Sequence, residues 1–133
     1  MRPKRILLVD DEETVRTYVK ALLRNDGFEI LEASDGLEAL ESIKQLRGSI
    51  DLLLTDVRMP RMDGLALAHA VTDMFPEIPV LFISGYSLDI DAEKSRHPTK
   101  NCGFVQKPFF PKVLLDAVRK CLDSPKQVSG TTA

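Results

Sequence analysis

Four short apolar runs of this sequence each end on polar residues that can bind a metal ion or a phosphoryl group. These residues are Asp10 with Asp11, Asp56, Ser84 and Lys107. If the runs are parallel strands, their carboxyl ends share one edge of a sheet, and the side chains meet there. Three carboxylates at one place repel each other unless a cation lies among them, and a few carboxylates completed by water suit Mg²⁺. The pattern therefore predicts a Mg²⁺ site at Asp10, Asp11 and Asp56.

The same set of side chains can carry out phosphoryl transfer. Mg²⁺ would neutralise the oxygens of an incoming phosphoryl group. Asp56 could then attack phosphorus as a nucleophile and become an aspartyl-phosphate. Ser84 can donate a hydrogen bond to one phosphoryl oxygen, and Lys107 can pair with another.

The elements that must position these residues alternate between strand and helix. Continuous apolar runs predict buried strands at 6–9, 52–56 and 80–83, and more polar or shorter runs predict strands at 28–33 and 104–106. Apolar residues at helical spacing predict helices around 15–23, 37–43, 65–75 and 111–122, with a weaker, short helix at 88–96. Asp35 and Asp63, each followed by glycine, are interpreted as turn and cap residues.

Five strands alternating with five helices indicate an α/β fold with a doubly wound parallel sheet. The three all-apolar strands should be central and the other two should be edges, which favours the flavodoxin-like order 2-1-3-4-5. In that order the chain reverses between the first and third strands, where α/β proteins bind ligands. We expect one domain over residues 1–123 and a flexible tail or linker over 124–133.

The bulk composition excludes several classes of protein. The 133 residues are 44% apolar and 29% charged, with a net charge of −2. We therefore expect no contact with nucleic acid or membrane, and neither a signal peptide nor a membrane span. Cys102 and Cys121 lack metal-ligand spacing, so we expect reduced thiols in a cytoplasmic protein, with Cys121 in the core.

Four segments of the chain resemble the receiver domain of two-component response regulators. They are residues 7–12, 55–60 with 62–64, 83–85 and 107–109. Each alone would be a weak signal, but all four follow in the right order at the right strand ends. The resemblance extends over residues 4–122.

The resemblance implies a role for each matching residue. Asp56 would be the phosphoacceptor. Asp11 would bind Mg²⁺ directly, Asp10 mostly through water, and the backbone carbonyl of Arg58 would be a further ligand. Lys107 would contact the phosphoryl group.

Three further features follow from the same resemblance. Ser84 would be the switch hydroxyl, and Phe104 the switch aromatic where many members have tyrosine. Phe104 cannot donate a hydrogen bond, so the polar part of that step is lost. The Lys107–Pro108 peptide would be cis, and Tyr86 would join Arg58 in tuning dephosphorylation.

The implied function is phosphorelay signalling rather than metabolic catalysis. A histidine kinase or phosphotransfer protein would phosphorylate Asp56, and the surface of the fourth helix, fifth strand and last helix would switch. The downstream protein is undefined, and a weak homodimer is compatible with such a domain. We expect either a stand-alone receiver or one belonging to a longer regulator or hybrid histidine kinase.

Other functions are weighed against the same residues. A receiver fold could act as an interaction module without phosphate, although every site residue is present. A small-molecule aspartyl-phosphate hydrolase usually has a second aspartate two residues after the nucleophile, where this chain has Arg58. A nucleotide-binding protein needs a glycine-rich cradle where this chain has acids. Asp11, Glu12 and Glu13 could also simply cap the first helix and favour its start electrostatically, which is the interpretation that we prefer for Glu12 and Glu13.

Overall fold

The computed structural model describes residues 2–85 and 101–123. Within them the chain forms five strands and four helices, labelled in chain order. They are β1 (Arg5–Val9), α1 (Glu13–Asn25), β2 (Glu29–Ala33), α2 (Gly36–Gln45), β3 (Leu52–Asp56), α3 (Gly64–Met74), β4 (Val80–Ser84), β5 (Asn101–Gln106) and α4 (Pro111–Asp123). The predicted helix at 88–96, the position of Tyr86 and the predicted tail at 124–133 lie outside the described residues.

All neighbouring strands of the single sheet are parallel, in the order β2-β1-β3-β4-β5. This confirms the doubly wound order predicted from strand polarity. Strands β1, β3 and β4 lie in the centre, and every residue of β3 and β4 is buried. Continuous apolar runs are typical of strands covered on both faces, which is why polarity alone identified the central strands.

Two apolar layers hold the helices against the sheet. On one face, alternate residues of the strands, such as Leu53 and Phe82, pack with buried residues of α2 and α3. On the other, Leu54 and Ile83 pack with buried residues of α1 and α4. Because strand side chains alternate between faces, each strand contributes to both layers and its last residue reaches the sheet edge in a fixed direction.

Strand β5 begins earlier than predicted, at Asn101 rather than Phe104. The first part of the strand contains asparagine, cysteine and glycine, and asparagine and glycine are depleted in strands. Its register against β4 also shifts between Val80 and Leu81, as at a β-bulge. Sequence periodicity does not detect a strand with such an irregularity. Residues 101–103 become part of β5 because the two ends of this segment pair with β4.

The prediction of two reduced thiols is wrong for this structure. Cys102 of β5 and Cys121 of α4 form a disulfide, with their Cα atoms 5.5 Å apart. Cys121 does lie in the core as predicted, with 3% of its surface exposed. The fold brings this strand and this helix together, and the disulfide joins them. The two cysteines are 19 residues apart, and that spacing in the sequence does not predict the bond.

Candidate functional site

Parallel pairing brings three aspartates to one edge of the sheet. Val9 of β1 pairs with Thr55 of β3, so Asp10 follows one strand beside Asp56 at the end of the other. Carboxylate oxygens of Asp10, Asp11 and Asp56 all lie within 4.8 Å of one another. The three predicted metal-binding side chains therefore meet in space.

Lys107 reaches the same cluster from β5. Ser84 pairs with Gln106 in the register, and the backbone N–H of Lys107 donates to the Ser84 carbonyl oxygen at 2.9 Å. The Lys107 Nζ atom lies 3.0 Å from Asp10 Oδ2 and 3.2 Å from Asp56 Oδ2. One ammonium group thus joins the carboxylates that follow β1 and end β3. The Lys107–Pro108 peptide is cis, as the resemblance implied.

Burial controls the charge of this cluster. Asp10 is fully buried, Asp56 is 7% exposed, and Asp11 is exposed. Burial, followed by repulsion from Asp10, raises the pKa of Asp56 above its usual range despite the attraction of Lys107. Burial opposes the charged form of Lys107, but Asp10 and then Asp56 outweigh it, and the pKa of Lys107 is raised. Lys107 therefore stays charged, while the negative charge of Asp56 is disfavoured unless a cation offsets it.

The loop after β1 is fixed by Asp10 rather than by Glu12. Glu12 is the N-cap residue of α1, but its side chain makes no capping hydrogen bond. Instead the backbone N–H of Glu12 donates to Asp10 Oδ1 at 2.9 Å. Arg16 of α1 donates to the Asp10 carbonyl oxygen at 2.7 Å. Glu12 and Glu13 do occupy the N-cap and the first turn of α1, as expected, but the side chain of Glu12 does not cap the helix.

The backbone around Asp56 is closely packed against the start of α3. Asp56 Oδ1 accepts a hydrogen bond from the backbone N–H of Val57 at 2.7 Å. The Gly64 N–H donates to the Val57 carbonyl oxygen at 2.7 Å. A Cβ atom on Gly64 would lie 1.9 Å from the Asp56 carbonyl oxygen, so only glycine fits here. Asp63 caps α3, as predicted, by accepting from the Ala66 N–H at 2.8 Å.

An ion pair that sequence reasoning missed ties the loop after Asp56 to α2. Arg61 donates to Asp35 Oδ2 from Nε at 2.9 Å and from a terminal nitrogen at 2.7 Å. Asp35 also caps α2 by accepting from the Glu38 N–H, and that bond, together with Arg61, lowers the pKa of Asp35. Arg61 has a φ of 68°, an uncommon conformation for a residue with a side chain. The two residues are 26 apart, and no local pattern in the sequence links them.

The remaining predicted residues occupy different surroundings. Ser84 is fully buried at the end of β4, one position beyond the residue that pairs with Asp56. Arg58 is exposed in the loop after β3, two residues after Asp56 in the sequence. Phe104 is half-buried and packs in the layer below α2 and α3.

The donor chemistry fits a hard divalent cation. Three carboxylate side chains supply only oxygen ligands, and Lys107 contributes a single positive charge beside them. Oxygen-rich sites with few protein ligands suit Mg²⁺, which retains water in its coordination shell. Asp11, the exposed member, leaves the cluster accessible from solvent.

Comparison with known proteins identifies the family of this chain. The family model for the response regulator receiver domain matches residues 6–119 of this sequence. The chain belongs to the receiver domain family. Sensor kinase CckA of Brucella abortus is 38% identical over 118 residues, which cover 89% of this chain and 12% of the kinase. This receiver chain therefore corresponds to a small part of that kinase.

Two further relatives are receiver proteins of similar length. The response regulator receiver protein CpdR of Brucella abortus is 31% identical over 122 residues, covering 90% of this chain and 97% of CpdR. The crystal structure of TrrA from Thermotoga maritima, in complex with Mg²⁺ and BeF, has a TM-score of 0.79 and 33% identity. The aligned region covers 90% of this receiver and 99% of TrrA.

Among the described residues of this receiver, none of the helices has the length and apolar character needed to cross a membrane.

The raised pKa of Asp56 predicts a pH-dependent gain in stability for Asp56→Asn in metal-free protein. A folded-state pKa above the unfolded value means that stability falls as pH rises through the folded pKa. The neutral variant escapes this loss, so at pH 7.5 its free energy of unfolding should be higher than that of the unsubstituted protein. The gain should shrink as pH falls and disappear below the unfolded pKa of aspartate.

Urea unfolding in the presence of a chelator, at pH 7.5 and near pH 4, measures this difference. The matched control is Glu77→Gln, an exposed carboxylate in the α3–β4 turn, which should show no such gain. Equal stability of Asp56→Asn and the unsubstituted protein at pH 7.5 would contradict the electrostatic account of the site.

Proposed function

We propose that this receiver takes part in phosphorelay signalling by accepting a phosphoryl group on Asp56. The observation that supports this is the position of the Asp56 carboxylate between an ammonium group 3.2 Å away and two further carboxylates. A carboxylate and a phosphoryl group are both negatively charged and repel each other. The carboxylate can therefore attack phosphorus only when positive charge neutralises both groups. The cluster combines the nucleophile with the groups that would supply that charge.

The chain's own residues account for the transfer step. An Asp56 carboxylate oxygen forms the new bond to phosphorus, while the bond from phosphorus to the donor's histidine nitrogen breaks and its electron pair stays with the imidazole. Val57 N–H holds the carboxylate in orientation through Oδ1. Lys107 stabilises the negative charge of the transferring group. Ser84 donates a hydrogen bond to a phosphoryl oxygen after transfer.

Mg²⁺ is the proposed cofactor of this step. Asp11 and Asp56 would hold it directly, Asp10 mostly through water, and the Arg58 carbonyl would complete the protein ligands. Bound there, the ion supplies positive charge to the phosphoryl oxygens. The complex of TrrA with Mg²⁺ and BeF supports this assignment by similarity.

The proposed partners are a histidine kinase or phosphotransfer protein as donor and a downstream protein as target. The relationship to a sensor kinase supports the first. We place this signalling in the cytoplasm, where the domain catalyses only its own phosphorylation and slow dephosphorylation. Phosphorylation draws Ser84 inward, turns Phe104, and shifts the surface of the predicted fourth helix, β5 and α4 in a two-state change.

Incubation with acetyl phosphate and Mg²⁺ tests the proposed acceptor. Intact mass should show one phosphoryl group, and the adduct should be absent with a chelator and in Asp56→Asn. Asp73→Asn, which removes an aspartate exposed on α3, is the matched control and should be labelled normally. Labelling that persists in Asp56→Asn would refute the assignment, and no labelling of the unsubstituted protein would favour an interaction module without phosphate.

An apolar surface beside Lys107 should recognise protein donors. A groove of about 470 Å³ lies between α1 and the loop before α4. Its lining consists of Thr14, Val15, Tyr18, Lys107, Pro108 and Phe109. Phe110 follows directly and is 78% exposed. A large exposed aromatic residue next to a groove is typical of a protein interface.

Phe110→Ala should therefore slow phosphotransfer from a phosphohistidine protein about tenfold, the loss expected for an interface aromatic. Labelling by acetyl phosphate should stay unchanged, since that donor needs no protein surface. Leu37→Ala, at a similarly apolar exposed position on α2, is the control and should affect neither reaction. Parallel loss with both donors would show that Phe110 supports the site itself and not the interface.

A further inference from the structure

A β-bulge directs the side chain of Cys102 toward α4. Val80 of β4 pairs with Asn101 and Leu81 pairs with Gly103, so Cys102 is the extra residue between two successive pairs. Bulges redirect the side chain at the inserted position. In an unbroken strand Cys102 would share a face with Phe104. Here Phe104 packs below α2 and α3, whereas Cys102 packs in the layer of α1 and α4.

The redirected side chain meets Cys121 on the inner face of α4. The Cα atoms lie 5.5 Å apart, within the range that a disulfide spans. Cys121 is 3% exposed, whereas Cys102 is half-buried at the edge strand. One cysteine can therefore be reached from solvent, and the other lies behind it.

The same surroundings also suit the two residues as thiols. The Cys102 sulfur lies 3.3 Å from the Val80 carbonyl oxygen, which can accept a hydrogen bond from a reduced thiol. Cys121 lies in an apolar cluster with Leu114 and Val118, where a thiol behaves as a small apolar group. Neither oxidation state leaves a buried group without suitable contacts.

We propose that Cys102 and Cys121 form a reversible thiol–disulfide exchange site that reacts with low-molecular-weight disulfides such as oxidised glutathione. The proposal rests on the proposed cytoplasmic signalling role, because disulfides in that compartment are usually transient or redox-sensing. The bond links α4 to the strand that carries Lys107 toward the acidic cluster. Oxidation therefore fixes part of the proposed output surface.

The exchange runs in two balanced steps. The Cys102 thiolate attacks one sulfur of oxidised glutathione, forming a mixed disulfide and releasing one glutathione thiolate. The Cys121 thiolate then attacks the Cys102 sulfur, closing the internal disulfide and releasing the second glutathione. Two cysteine thiols are oxidised, one glutathione disulfide is reduced to two thiols, and the two cysteine protons end on the released glutathiones.

The internal disulfide closes a loop of 19 residues' separation, which restricts the unfolded chain. For a domain of this size the oxidised protein should melt about 10 °C above the reduced protein. That difference should vanish in Cys102→Ser and in Cys121→Ala, because neither variant can form the bond.

Thiol counting in glutathione buffers tests the site without any phosphoryl donor. The reduced 133-residue chain is equilibrated over a range of ratios of oxidised to reduced glutathione and alkylated, and its mass is measured by mass spectrometry. We expect two alkylated thiols at the reducing end and none at the oxidising end, with a monomer on non-reducing gels. Cys121→Ala should accumulate a glutathione adduct on Cys102, and Cys102→Ser should react at least tenfold more slowly.

Persistence of two free thiols at every ratio, or disulfides that only join two chains, would overturn the proposal. Equal adduct rates in the two single variants would overturn the order of attack. Asp56→Asn should give the same thiol counts as the unsubstituted protein. A failure of phosphorylation therefore leaves this result unchanged, and a failure of thiol exchange leaves the phosphoacceptor assignment unchanged.

Discussion

The crowding of three carboxylates beside one ammonium group is the constraint on which the rest of this structure depends. Asp10 and Asp56 are buried at the ends of neighbouring strands, and Lys107 contacts both. Folding brings these charges together at a cost in desolvation that a single lysine only partly offsets, as the raised pKa of Asp56 shows. This imbalance of charge favours binding of a cation, and the bound cation would in turn favour binding of an anionic phosphoryl group.

The surrounding loops are organised to hold the cluster in place. Asp10 is fixed by the Glu12 N–H and by Arg16, and the Asp56 backbone packs against Gly64. The loop that contains Arg58 is tied to α2 through Arg61 and Asp35. Secondary structure supplies the direction of each side chain, and these local contacts supply its position.

Sequence reasoning recovered those parts of the fold that depend on local pattern. The apolar character of the strands at Leu54 and Ile83 identified the centre of the sheet, and glycine after Asp35 and Asp63 marked two helix caps. The bulge at Cys102, its disulfide to Cys121 and the ion pair of Arg61 depend on contacts between distant segments. No local periodicity records them, so they become visible only in the folded chain.

The most direct test of this account is ¹⁹F nuclear magnetic resonance with beryllofluoride, a phosphoryl mimic that needs both the acceptor carboxylate and the metal. A bound fluorine signal should appear only when Mg²⁺ is present. The signal should be absent in Asp56→Asn and present at full intensity in the Asp73→Asn control. A bound signal in Asp56→Asn, or none in the unsubstituted protein with Mg²⁺, would contradict the assignment of this cluster as a phosphoryl-accepting metal site.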